Sequence, residues 1–497
     1  MGHRYWTGVC AAVGLLAASL GAQPAVAADL CVGGPKPGCF ATLQAAIGAA
    51  QDGDTIKLAP GTYAGGITIA KNVELIGTSP ASTVIRGGGP VVTVGDGVSK
   101  PTVSISRVTI TGGLNDSTGV AAGGGVAIPP LAAGNATGAT VSISDSVISG
   151  NRAAPSATFP GPTPCGSVPF DQCAFALGGG VDNSGTLTLT DTRVTDNVAG
   201  SAGVTSSAAG GGIDNHPQGT LTLVRSSVTG NRAAVSSPFG RFAEGGGMLS
   251  SGTLSIEDSV VDRNSVDAST AVASSFPADV QQEAVAGGIR LEAGAVARIT
   301  RTSISDNVVT SSNLGGDAQA VAGGMDVDGT LLLVDSRVDR NSVTATVAPA
   351  SGFLAGAVFG GLEVQGTATI RRSSISHNVM AAASATGAVN VAGGGIGNLS
   401  AHVTLERTLL VGNRGTASGP FGLAIGGAIV NIDFVGGPPE LAVSDSVVTA
   451  NRLEAAPGIT PQGGGIFSAN IFSGDPIAFT LTRTVIAGNK PDQCVGC

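Results

Sequence analysis

The residues whose types and spacing could do chemistry stand two positions after a recurring glycine run. They are Asp182, Asp214, Arg290, Asp326 and Glu363, with Leu249 interrupting the series and His216 close behind Asp214. Carboxylates on neighbouring turns of a repeat can serve as general acid and base at a glycosidic bond. They can also clamp Ca²⁺ while a basic residue removes a proton. If the turns stack directly, Asp182 and Asp214 lie about 5 Å apart and shift each other's pKa.

Other features weigh against catalysis. There is no Asp-Asp and no Arg-x-Lys pair, and Pro217 follows His216. No lysine lies between Lys100 and Lys490, so Arg290 is the only base in the column. Beyond residue 27 there is no Trp, and Tyr63 is the only Tyr, whereas saccharide clefts usually stack rings on aromatics. On this count the Asp182 and Asp214 pair reads as solvated wall. The glycine triplets never run into GKS or GKT, so they are not phosphate loops. No Ser or Cys is placed to work with a histidine as a nucleophile. Outward charges such as Arg298, Glu257, Arg371 and Glu406 break the threonine lattice that TLTLT (186–190) hints at.

The column belongs to a repeat. An Asn closes each copy: Asn151, Asn197, Asn231, Asn264, Asn307, Asn341, Asn378, Asn413, Asn451 and Asn489, at intervals of 33 to 46 residues. Such a period marks a solenoid. Three, eight and ten places before each Asn the chain is apolar, and five places before it is Ser or Thr. Apolar residues two apart, with polar ones between, describe strands with one buried face. GTLTL followed by SxVxxN is therefore two short strands meeting at a corner, and GGG-I/V is a third strand. Six places before the Asn, charges alternate from Arg107 and Asp145 to Asp445 and Arg483, except between Asp145 and Asp191 and between Arg372 and Arg407. That is the pattern a parallel stack about 4.8 Å per rung favours. The Asn column reads as an amide ladder at a left-handed corner.

Between each Asn and the next glycines run Ala-, Val-, Ser- and Gly-rich segments too long for a compact turn. Asn341–Gly361 and Asn378–Gly395 look like paired extended arms around a tip, and stacked arms should build one raised flank. The first copies are preceded by a short amphipathic helix over 40–51, with Leu43 and Ile47 on one face, suited to plug the first rung.

The opening ATLQAAIGAAQDGDTIKLAPGTYAGGITIAKNVELIG (41–77) resembles the start of right-handed parallel β-helix proteins of the pectin lyase-like superfamily. The GGG-I/V-x-N, GTLTL and S-x-V/I-x-x-N phrases are similar to passenger repeats of polymorphic outer-membrane proteins. The resemblance covers nearly the whole chain after the leader and implies fold rather than activity, since the superfamily mixes lyases, glycosidases and adhesins.

Composition sets the remaining bounds. Glycine accounts for 78 of 497 residues, charged residues for 12 %, and net charge is −9, which excludes a phosphate-neutralising nucleic-acid binder. Residues 1–27 read as a secretory signal peptide, with Arg4, an apolar run over Val9–Leu20 and Ala25-Val26-Ala27. Six further cysteines fall in close pairs, as disulfides in an exported chain would: Cys31 with Cys39, Cys165 with Cys173, and Cys494 with Cys497.

The expectation is an all-β, right-handed parallel β-helix solenoid of roughly a dozen turns, about 60 Å long, with a short N-terminal capping helix. Residues 28–497 form a single domain, with repeats over 103–489 and a tail over 490–497. The chain is expected to be secreted or held at the cell surface, with no transmembrane segment after signal cleavage. Its expected function is a non-catalytic binding or adhesion scaffold working through the stacked arms, with an extracellular polysaccharide or cell-surface component as partner. The alternative is a polysaccharide lyase or glycoside hydrolase using Asp182, Asp214, Arg290, Asp326 and Glu363. No cofactor or metal is expected, and Ca²⁺ enters only under the lyase alternative.

Overall fold

The computed structural model describes residues 27–35, 37–132, 136–156, 174–200, 207–235, 242–269, 282–348, 353–433, 439–470, 475 and 477–497. The chain is a parallel β-solenoid with one short helix near its start, as the repeat requires. The expected signal peptide, up to residue 26, lies outside the described residues.

Three sheets wall the core. A long-strand sheet of 14 strands collects the TLTLT segments, for example Thr186–Thr190 on Thr220–Val224. A short-strand sheet of 13 strands collects the SxV segments, and a glycine-strand sheet of 13 the GGG-I/V segments. Every paired register among them is parallel, one coil to the next. Inward side chains form one continuous core from Val32 to Ile466, with Leu187, Leu189, Val194 and Val181 contributed by a single coil. No coil buries this stripe alone, because each strand is only three to five residues long over most of its length; stacking closes it.

Three positions in each repeat take left-handed backbone, one of them just before the glycine strand, as at Gly178, Ala286 and Phe359. The residue six before each of the ten Asn has positive φ, as has Arg107 (58°) in the preceding coil, where Gly113 holds the Asn position; the series ends at Arg483 (47°). The charged ladder therefore sits on a corner, and each of four arginines reaches back one coil: Arg225 to Asp191, Arg301 to Asp258, Arg372 to Asp335 and Arg483 to Asp445. The forward steps from Arg225 to Asp258 and from Arg301 to Asp335 form no ion pair, so alternation supports every second step rather than a continuous chain. The residue just before each Asn is the second left-handed corner, held by Asp196, Arg263, Asp306, Arg340, His377, Ala450 or a glycine.

The Asn ladder is buried throughout. Each side-chain amide donates to the next coil's Asn Oδ1 at 2.8–3.0 Å, from Asn151→Asn197 to Asn451→Asn489. The backbone N–H of each Asn donates to the same oxygen. At the end, Gln493 Oε1 takes over and accepts from Asn489 Nδ2 at 3.1 Å.

The arms are real sheets. Outgoing strands form a 10-stranded sheet and returning strands a 9-stranded one. Ser342–Val347 leaves and Ala355–Val358 returns; Val379–Ala383 leaves and Ala388–Ala392 returns. Between the two sheets lies a second, thin core built mostly of alanine and valine, such as Ala233, Val266, Ala320 and Ala357. Small side chains let the sheets approach closely.

The N-terminal helix is shorter than expected, Leu43–Ala49 rather than 40–51, because Thr42 caps it and Ala50 is already extended. It buries Leu43, Ala46 and Ile47 against the first rung. Of the expected disulfides, the described residues show Cys31 joined to Cys39 and Cys494 joined to Cys497. The remaining expected pair, Cys165 with Cys173, is not among the described residues: both Cys165 and Cys173 lie outside them.

Candidate functional site

Each glycine run links a returning-arm strand to a glycine strand, and the seam between these two sheets is termed the groove. Its floor is the outward face of the glycine strands. In each such strand the first and third residues point into the core, which leaves the second for the groove. Register places these second residues directly over one another: Asp182↔Asp214, Asp214↔Leu249, Leu249↔Arg290, Arg290↔Asp326, Asp326↔Glu363. All five expected site residues thus share one line.

The expectation that they are solvated wall is overturned. Asp182 is 7 % exposed, Asp214 3 %, Asp326 1 % and Glu363 4 %. In the later coils the returning strands pack on the floor: Val285, Val321 and Ile425 share a buried cluster with Phe359, Val430 and Phe467.

At the N-terminal end the floor carries a compact cluster. Asp182 Oδ1 and His216 Nε2 are 2.8 Å apart, and Asp214 Oδ2 lies 3.9 Å from the same nitrogen. Burial pushes the Asp214 carboxyl up to about 7, against the pull of His216 and with the push of Asp182. Burial opposes the charge on His216, but the bond to Asp182 and the Asp214 carboxyl outweigh it and raise the imidazole to about 9. The ring is therefore a cation at neutral pH. One ligand atom from each residue lies within 4.8 Å of the others, a spacing that would suit a divalent cation. A protonated imidazole is no ligand, so loading a metal there would first require His216 to give up its proton.

Further along, Arg290 is surrounded by acids. It contacts Asp326, Asp328 at 2.7 Å and Glu244 at 3.5 Å. Glu244 is held near 6 by burial, which Arg290 only partly offsets, and burial likewise raises Glu283 and Asp328. Glu363 rises well above the carboxylate range through burial and the neighbouring Asp326. Glu244, Glu283, Glu292 and Asp328 escaped the reading of the sequence. Asp328 and Glu292 did carry a signal, two places beyond the column at the turn after the glycine strand. Glu244 and Glu283 had none, since arm residues follow no fixed spacing.

Beyond Arg290 the groove deepens into a cavity of about 430 Å³ lined by apolar and polar side chains. Phe359 belongs to it, an aromatic at a left-handed position (φ 59°).

The class defined here is a parallel β-solenoid with a paired-arm flank and an acidic, half-enclosed groove. No family model matches the sequence, and no curated protein matches it. Among solved structures, the chain is similar to the A-module of mannuronan C-5 epimerase AlgE6 from Azotobacter vinelandii. Identity is 14 %, the TM-score is 0.44, and 90 % of this chain and 95 % of that one are covered. It is also similar to the catalytic unit of a thermostable GH87 α-1,3-glucanase from Streptomyces thermodiastaticus strain HF3-3. Here identity is 13 %, the TM-score is 0.32, and coverage is 95 % and 70 %.

Proposed function

We propose that this protein is an exported carbohydrate-active enzyme that hydrolyses a polysaccharide laid along the groove. The observation that carries this reading is the Asp182–His216–Asp214 cluster: two stacked carboxyls kept from solvent beside a histidine cation. Stacked surface acids would stay ionised and inert, whereas burial here keeps a proton on Asp214 near neutrality while His216 stands beside it as a cation. Asp214 holds a proton near neutrality and can deliver it to the glycosidic oxygen as the C–O bond breaks. The ligand atoms of the pair lie within 4.8 Å of each other, the close spacing of a double displacement. Asp182 bonds to the anomeric carbon as the leaving oxygen takes the Asp214 proton, and water then cleaves the glycosyl ester, returning a proton to Asp214. His216 is the most exposed of the three, its side chain at 28 %, and marks where the cluster opens to the groove.

Charge favours hydrolysis over β-elimination of a uronate. Among the described residues, Asp182, Asp214, Glu244, Glu283, Glu292, Asp326, Asp328 and Glu363 have only Arg290 and His216 as nearby counter-charges, and Arg290 is already engaged. A polyanion would be repelled.

The test is incubation of the protein with neutral, cationic and acidic polysaccharides, with and without Ca²⁺, following new reducing ends and unsaturated products. Reducing ends lost in Asp182→Asn and Asp214→Asn are expected. Ca²⁺-dependent unsaturated products would replace hydrolysis by a lyase. Retention on one polysaccharide without turnover would restore a binding scaffold working through its arms.

A further inference from the structure

The cavity beyond Arg290 is separate from the carboxyl pair: three rungs of the floor lead from Asp214 through Leu249 and Arg290 to Asp326. Its lining joins apolar side chains, Val358, Phe359, Leu399 and Ile425 among them, to polar ones, with Gln319, Gln365 and Asn390 beside the charged Glu283, Arg290, Asp326 and Glu363. Asp326 is 1 % exposed, and its Oδ1 makes no hydrogen bond although it is fully buried. Leaving such an oxygen unmatched is costly unless a ligand supplies the donor.

Charge identifies that donor. Among the described residues Arg290 is the one cation lining the cavity; its terminal nitrogens pair with Asp326 and Asp328, while Nε lies 3.5 Å from Glu244 without a hydrogen-bond partner. Glu363, which accepts from the neutral amide of Gln365 at 2.9 Å, and Glu283, which also lines the cavity, form no ion pair among the described residues and share Arg290 as their nearest positive charge. From the unmatched oxygen, the surplus of acid and the apolar side chains, we infer that this cavity of about 430 Å³ binds a protonated amine carried on an apolar body. The amine sits against the Asp326 and Glu363 carboxyls, with Asp326 turning to present Oδ1, and the apolar body packs against Phe359 and Ile425. The site stands whether or not the carboxyl pair is catalytic. Two sources share this chemistry, a free small amine and an amino sugar within a glycan.

Three probes of one shape and different charge test it by calorimetry on the whole protein at pH 7: cyclohexylmethylamine, cyclohexylmethanol and cyclohexanecarboxylate. Glucosamine is a fourth probe that separates the two sources. The amine should bind at least about tenfold more tightly than the alcohol, and the carboxylate should not bind. Because burial keeps protons on these acids in the empty cavity, amine binding should release protons, seen as heats that change with the buffer. Glu363→Gln should weaken the amine about tenfold while leaving the alcohol unchanged. Gly356→Leu should abolish binding of all probes without touching a charge, since a Cβ at Gly356 meets only Gln319 Cγ at 3.8 Å and the side chain would fill the cavity. Glucosamine binding more tightly than cyclohexylmethylamine would assign the site to a glycan; the reverse order would assign it to a free amine. Alcohol binding equal to the amine, or undiminished amine binding in Gly356→Leu, would overturn the proposal.

Discussion

Single residues divide sharply into those that hold the molecule and those that decorate it. Asn307 illustrates the first kind. It accepts from Asn264 through both backbone and side-chain N–H, and donates to Asn341 and to the Val261 carbonyl. Asn307→Ala strands these buried partners and should cost about 2–4 kcal/mol, read as a lowered urea midpoint. Arg301 illustrates the second kind: it pairs with Asp258 and Glu257 on an open corner, and Arg301→Ala should leave the midpoint unchanged in physiological salt. Catalysis tests the cluster at the same scale. Asp214→Asn keeps the shape but removes the transferable proton, so hydrolysis should fall at least about a hundredfold with the circular dichroism spectrum intact. The Asn column was legible in the sequence because its spacing to the apolar columns never varies. Burial of Asp182 and Asp214 was not, because an outward position in a period-two strand reads the same whether or not other chain packs on it.

The elements show why glycine runs precede the site. The glycine strands lie where the arms rejoin the wall, and backbones of successive coils nearly touch there. A Cβ on Gly324 would meet the Gly361 carbonyl oxygen at 2.7 Å and Val338 Cγ1 at 2.7 Å. Gly324→Ala should destabilise the protein by about 1–3 kcal/mol and, by pushing Asp326 and its strand outward, lower amine binding in the neighbouring cavity. Thermal melts and calorimetry on the one variant check both effects. The strands themselves were readable: period-two apolar columns, a corner and a glycine-led third strand all appear where the pattern puts them. The arms were readable as paired extensions, but not their second core. Alanine and valine at alternate positions carry the same signal in a packed sheet as in a loose loop.

For the whole molecule, the groove makes stability depend on pH in an unusual direction. Asp214 and Asp326 ionise at 3.8 when unfolded but are pushed up to about 7 by burial in the fold. Between those values the folded state holds more protons than the unfolded one, so stability falls as pH rises. His216 acts likewise between 6.5 and about 9, since its folded form keeps a proton that the unfolded chain releases. In the opposite sense, Asp191, Asp258, Asp335 and Asp445 are lowered by their arginine partners, and they lose that support only below about pH 4. The melting temperature should therefore peak near pH 4–5 and decline steadily to pH 9. Asp214→Asn and Asp326→Asn should each flatten part of that decline.

The amide ladder gives the molecule a grammar of length. Every Asn reads only the Asn before and after it, and Gln493 closes the series without regard to how many came first. Coils can then be added or removed between the helix and Gln493 by duplicating one period, with the ends left as they are. Because the groove floor gains one outward position per coil, the same duplication lengthens the surface offered to a polymer by one rung, about 4.8 Å. Gene duplication would thus adjust the span of ligand this protein can hold in fixed increments, with the Asn column keeping count.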